Sequence, residues 1–108
     1  MAEERLYLYR VTLRRPAMLV EGPTAEERAT VARHGAYLQA LLEQGRLVLA
    51  GRTDTTDAAT FGIAIVRAES DAAARRLMEE DPFVREGLTN GELFPFHLSH
   101  HAAAPAPE

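Results

Sequence analysis

The sequence predicts an α+β fold with elements in the order β-α-β-β-α-β. Three observations carry this. Arg5–Leu13 and Phe61–Arg67 are rich in β-branched, aromatic and long aliphatic residues, as strands are. Thr24-Ala25-Glu26-Glu27 is a capping box that opens a long helical segment. Ser70 and the dipeptide Asp81-Pro82 bracket a second, alanine-rich helix. The order is that of the ferredoxin-like arrangement, with two helices on one face of a four-stranded antiparallel sheet.

The elements follow in turn. The first strand, Arg5–Leu13, carries Tyr7, Tyr9, Val11 and Leu13 on one face and Leu6 and Leu8 on the other. A loop holding Pro16, Gly22 and Pro23 leads to the first helix, from Thr24 to about Glu43, with Gly45 as its left-handed C-terminal residue. Arg46–Gly51 is a short strand, and Arg52–Thr60 is a polar hairpin loop. Phe61–Arg67 is the third strand, with Phe61, Ile63 and Ile65 facing away from Ala64 and Val66. The second helix runs from Asp71 to about Glu80 and ends because the residue before proline is pushed out of helical geometry. Leu93–Leu98 is the fourth strand, which Pro95 assigns to a sheet edge. Residues 1–98 read as one domain and 99–108, ending Ala-Pro-Ala-Pro-Glu, as a flexible tail.

Composition narrows the function. The 108 residues are 46% hydrophobic and 26% charged, the mix of a globular domain able to bury one core. The absence of cysteine excludes disulfides, thiolate zinc sites and thiol nucleophiles. All twelve Lys+Arg residues are arginine, so no Schiff-base or P-loop lysine exists. A net charge of −4 leaves no basic excess for nucleic acid. No apolar run is long enough to span a membrane, and Met1-Ala2-Glu3-Glu4-Arg5 does not read as a signal peptide; the expected location is the cytoplasm. Two helices cover one sheet face only, yet strands one and three are apolar on both. The second face is therefore expected to bury itself against a second copy, as a homodimer.

Few residues can carry chemistry. His34 lies on the stripe Val31, Leu38 and Leu41 of the first helix, three residues after Val31 and four before Leu38. It reads either as a core histidine bonded to a carbonyl or as a general acid–base group at a pocket mouth. Asp81 follows Leu77 by four residues on the inward side of the second helix. Alone it reads as the start of an Asp-Pro turn. Both helices pack on one sheet face, so the two can meet. A carboxylate on one imidazole nitrogen fixes the tautomer and raises the basicity of the other. Tyr7, Tyr9 and Tyr37 are weaker candidates, better read as core. Arg10, Arg14, Arg15 and Arg52 are candidate anion holders, each otherwise a surface charge. His97, His100 and His101 have metal-like spacing without supporting ligands, so no metal and no cofactor is expected.

These residues resemble a known family. His34-x-x-Tyr37-Leu38, Gly45, Leu49-Ala50-Gly51 and Asp81-Pro82-Phe83 are similar to the pattern of the YciI-like (YCII-related) proteins, over roughly Arg5–Leu98. The resemblance implies a dimeric α+β barrel of ferredoxin-like protomers, similar to muconolactone isomerase in architecture. It implies a catalytic pair falling on His34 and Asp81, with Tyr9, Gly51, Arg52 and Phe83 around the substrate. Where the family usually carries Gly-Pro after the second strand, this chain has Gly51-Arg52. Two functions follow as expectations. One is a cofactor-free isomerase or lyase that moves a proton on a small aromatic or lactone metabolite. The other is a non-catalytic dimer that binds a small ligand or partner.

Overall fold

The computed structural model describes residues 5–102. Strand β1 (Arg5–Leu13) is followed by a single helical turn, α1 (Met18–Glu21), and the long helix α2 (Ala25–Glu43). Strands β2 (Leu47–Arg52) and β3 (Phe61–Ala68), helix α3 (Asp71–Glu80), a second single turn α4 (Pro82–Arg85) and strand β4 (Thr89–Phe96) complete the fold. The sheet is antiparallel in the order β2-β3-β1-β4. This is the expected ferredoxin-like topology, with β4 at an edge and Pro95 within it.

The alternation in β1 decides which face is covered. Tyr7, Tyr9 and Val11 are buried and pair with Val66, Ala64 and Gly62 of β3, so these residues share the helix-packed face. Leu41 of α2 and Leu77 and Met78 of α3 close the core over them. Leu6 and Leu8 point the other way, beside Phe96 and Phe94 of β4. No element among the described residues covers that second face, and Phe94 and Leu49 stay 44% and 47% exposed.

Helix α2 starts as its sequence dictates. Thr24 Oγ1 accepts from the Glu27 N–H at 3.1 Å, and Glu27 Oε1 accepts from the Thr24 N–H at 2.8 Å. Arg15 forks onto the same carboxylate, which it holds down to about 2 together with the Thr24 backbone bond. Gly45, at φ 74°, takes the left-handed position that ends the helix.

Four expectations need correction. The Pro16–Pro23 segment is not all loop but contains α1, too short to show periodicity. Asp81-Pro82 ends α3 and also begins α4, with Asp81 as N-cap and Pro82 in the first turn, where proline's missing N–H costs nothing. Arg52 belongs to β2 rather than to the hairpin loop, paired with Gly62. Strand β4 begins at Thr89 and ends at Phe96, not Leu93 to Leu98. Asn90-Gly91 has low strand propensity, but β1 pairs with it nonetheless. Gly91 leaves little room there: a Cβ would meet Met78 Sδ and Val84 Cγ2 at 3.0 Å each. Ser99–Ala102 is neither helix nor strand, and the rest of the expected tail, 103–108, lies outside the described residues.

Candidate active site

Three elements converge on Asp81. It sits at the joint between α3 and α4, fully buried, and its carboxylate receives three donors. Oδ1 accepts from the Phe83 N–H at 2.9 Å, the turn-forming bond that Asp-Pro sequences favour, and lies 2.7 Å from His34 Nδ1. Oδ2 accepts from the Tyr9 hydroxyl at 2.6 Å. The turn and the histidine contact, alternatives in the sequence, are therefore made together. Burial is the main reason the Tyr9 hydroxyl is raised far above the usual phenol range, with the Asp81 charge adding to it. Tyr9 thus stays a neutral donor at any working pH.

His34 is held in two directions. Asp81 fixes the imidazole edge, so Nδ1 carries the proton when the ring is neutral. Phe83 stacks on the imidazole face, with ring centroids 3.5 Å apart and planes 3° from parallel. Bond and stack together leave the ring one orientation. Nε2 has no hydrogen-bond partner among the described residues, and the side chain is 18% exposed.

A cleft of about 320 Å³ lies between α2 and the sheet, beside this imidazole. Val31, His34 and Leu38 form its helical wall, and Phe83 closes one end. Its floor is made of small residues: Ala50 and Gly51 of β2, Gly62 and Ala64 of β3. Large side chains at Ala50, Gly62 or Ala64, which face α2, would fill the space, whereas Gly51 contributes backbone only, its Cβ direction being toward the open sheet face. The helix stripe is correspondingly less buried than expected, with Val31 39% exposed because it faces the cleft rather than the core. The volume is at the small end of the range for ligand sites.

The expected site residues thus fall on one cleft. His34, Tyr9, Gly51, Arg52 and Phe83 line it, and Asp81 lies directly behind His34. Val11, Ile63, Gly62 and Ala64 also line it and were not singled out as site residues by sequence reasoning. The signal for the last two was the small residues interrupting an otherwise bulky strand. Tyr7 and Tyr37 lie outside the cleft: Tyr7 donates to Asp71 Oδ1 at 2.7 Å, and Tyr37 donates to the Leu77 carbonyl at 2.6 Å. Burial and the nearby Glu80 push the Tyr37 hydroxyl up to about 12, which keeps it a structural donor. Arg10 lies over the Phe61 ring and Arg14 donates to Asn90. Among the described residues no three metal-binding side chains converge. No helix among them is long and apolar enough to cross a membrane.

The model of the YCII-related domain matches residues 9–97. The chain belongs to the YCII-related family. The solved structures agree on its fold. The chain is similar to 5-chloro-2-hydroxyhydroquinone dehydrochlorinase (TftG) of Burkholderia phenoliruptrix AC1100, solved in complex with 2,5-dihydroxybenzoquinone. That match has a TM-score of 0.64 and 24% identity, over 87% of this chain and 95% of that one. It is also similar to PA3566 of Pseudomonas aeruginosa, with a TM-score of 0.51 and 17% identity, over 93% of this chain and 99% of that one. A search of curated proteins gave no match. At these identities the likeness establishes the YCII-related fold alone.

Proposed function

We propose that this protein is a small cofactor-free enzyme that transfers a proton on a ring substrate next to a carbonyl, as an isomerase or lyase. One observation carries the reading: a buried Asp81 holds His34 through Nδ1 at 2.7 Å and leaves Nε2 open beside an apolar cleft. A neutral imidazole so held accepts a proton at Nε2, and Asp81 stabilises the imidazolium that forms. Phe83 favours the same cation through its ring face. The C–H electron pair of the substrate becomes the C=C bond of an enolate. The enolate then takes the proton back at another carbon, or expels a leaving group such as halide. Keeping a buried His–Asp pair for packing alone seldom gains over apolar packing, which favours the catalytic over the purely structural reading.

TftG, which shares the fold, is a dehydrochlorinase by name, and an eliminating reaction fits the same proton transfer. Two probes test the reading. α-Angelica lactone isomerises when a proton leaves C3 and returns to C5. 2-Chlorohydroquinone tests for elimination: its keto tautomer, protonated at the chlorinated carbon, loses the remaining hydroxyl proton and chloride to leave benzoquinone. The expected result is turnover or D₂O exchange of one probe, reduced on the order of 10²- to 10⁴-fold in His34→Gln and Asp81→Asn. A rate that survives both substitutions excludes the pair as the proton carrier. Binding of ring ligands with no exchange in the wild type would leave the protein a ligand-binding module.

The assembly is proposed to be a homodimer through the open sheet face, where Leu6, Leu8, Ile63, Phe94 and Phe96 make an uncovered apolar surface.

A further inference from the structure

Arg52 stands at the mouth of the cleft and is its only arginine. Its place in β2, opposite Gly62, puts its side chain on the helix-packed face, the face that carries Tyr9 and Val11. Gly62 has no side chain to crowd it: a Cβ there would already meet Val11 Cγ2 at 3.1 Å and come within 3.9 Å of Arg52 Cβ. The guanidinium has no carboxylate partner within 4.0 Å among the described residues, unlike Arg15 and Arg33. Its one hydrogen bond, to the Thr53 carbonyl, is long at 3.4 Å. An uncommitted cation thus borders a cleft whose other lining is nearly all apolar.

A second space adjoins the first. An apolar lobe of about 250 Å³ is lined by Leu13, Met18 and Leu19 together with Val11, Val31, Arg52, Gly62 and Phe83, which also line the His34 cleft. Arg52 is therefore at the junction of both. A dry cavity of roughly 150 Å³ accommodates a benzene ring, so the two spaces together exceed what one ring fills.

We propose that the cleft selects an anion with an extended apolar ring system, its carboxylate or phenolate held by Arg52 and its body reaching past Phe83 toward Met18. This rests on the proton-transfer reading and names its substrate class. The arginine also has a use during the reaction. The buried Asp81 charge disfavours a second negative charge nearby, and Arg52 offsets it both for the bound anion and for the enolate that develops.

A matched set of probes tests it on the full chain: 2-naphthoate and benzoate against the uncharged 2-naphthamide and benzamide. Dissociation constants come from calorimetry or from titrating the amide resonances of Gly51 and Phe83. The wild type is expected to bind 2-naphthoate at least about ten-fold more tightly than 2-naphthamide, the size of a charge-assisted contact. It should also bind 2-naphthoate more tightly than benzoate. Arg52→Gln should abolish the charge preference and keep the ring-size preference, and Arg52→Lys should restore part of the former. Leu19→Trp, which fills the distal lobe, should remove the ring-size preference alone. Equal affinity for acid and amide, no loss in Arg52→Gln, or no naphthoate binding up to its solubility limit would overturn the inference. Failure of the underlying reading looks different. If Arg52-dependent naphthoate binding holds but no probe exchanges a proton, the anion site stands and the catalytic reading falls.

Discussion

Asp81 makes its three bonds in full burial, and they predict distinct costs. Removing the Tyr9 hydroxyl leaves Oδ2 buried without a donor. Tyr9→Phe should therefore lose about 1–3 kcal/mol of stability, measured by urea unfolding, although the ring's packing is unchanged. A loss within experimental error would mean that water replaces the hydroxyl. The His34 bond predicts a tautomer instead. For the neutral ring of the wild type, ¹⁵N shifts should report the proton on Nδ1 and a bare Nε2. Asp81→Asn should shift that balance, because an amide can present an N–H to the ring. An unaltered tautomer in Asp81→Asn would break the link between the two side chains that the proposed chemistry requires.

At the scale of elements, the one-turn helix α4 is what brings Asp81 and Phe83 to His34. A single turn has little stability of its own. It is tied to α2 by Glu86, whose carboxylate accepts from Thr30 Oγ1 at 2.8 Å and from Arg33 Nε at 2.7 Å. The Arg33 fork, with help from Thr30, holds the Glu86 carboxyl down to about 2. Glu27 is held equally low by Arg15 and Thr24. Both groups bind protons more readily in the unfolded chain, at about pH 4.3, than in the folded one. Their contribution is thus complete above that value and is lost as pH falls toward about 2. Thermal melts between pH 5 and 2 should show a steeper fall for the wild type than for Glu86→Gln, and the His34 ring signals should broaden earlier in the variant. Equal slopes would show that the clamp is spent on the surface.

Gly91 sets a second limit at this scale, because α3 and α4 both rest on the bare backbone of β4. Gly91→Ala forces Met78 and Val84 aside. It should cost on the order of 1–3 kcal/mol by overpacking, read as a shift of the urea midpoint. A neutral result would mean that the flexible Met78 side chain absorbs the methyl group.

For the whole molecule, the uncovered sheet face governs behaviour in solution. An apolar sheet surface of this kind is seldom left to water, and a stable pairing buries more than about 1,000 Å². Sedimentation at micromolar concentration should give twice the 11.9 kDa chain mass. Phe94→Glu, at a 44% exposed position across from Leu8, should shift it to monomer while leaving the fold intact. A wild-type monomer would remove the dimer from the proposal.

The sequence by itself determined the order of the four strands and two main helices, the topology and the approach of His34 to Asp81. Each rests on local signals: caps at Thr24 and Ser70, the alternation of β1, the break at Pro82, and an inward-facing His34 and Asp81. Their meeting was legible because only one sheet face has helices to carry both. The rest was decided by tertiary packing. Turns α1 and α4 are too short to show a period, and β4 takes Thr89-Asn90-Gly91 because β1 offers them partners. The Phe83 stack on His34 depends on how α4 docks, which Glu86 arranges across more than fifty residues of chain. The cleft was the least legible feature, because a cavity is missing volume. Ala50, Gly62 and Ala64 look like ordinary small strand residues until β2 and β3 lie side by side beneath α2. Only then do they leave room for a ligand beside Nε2, with Arg52 at its edge.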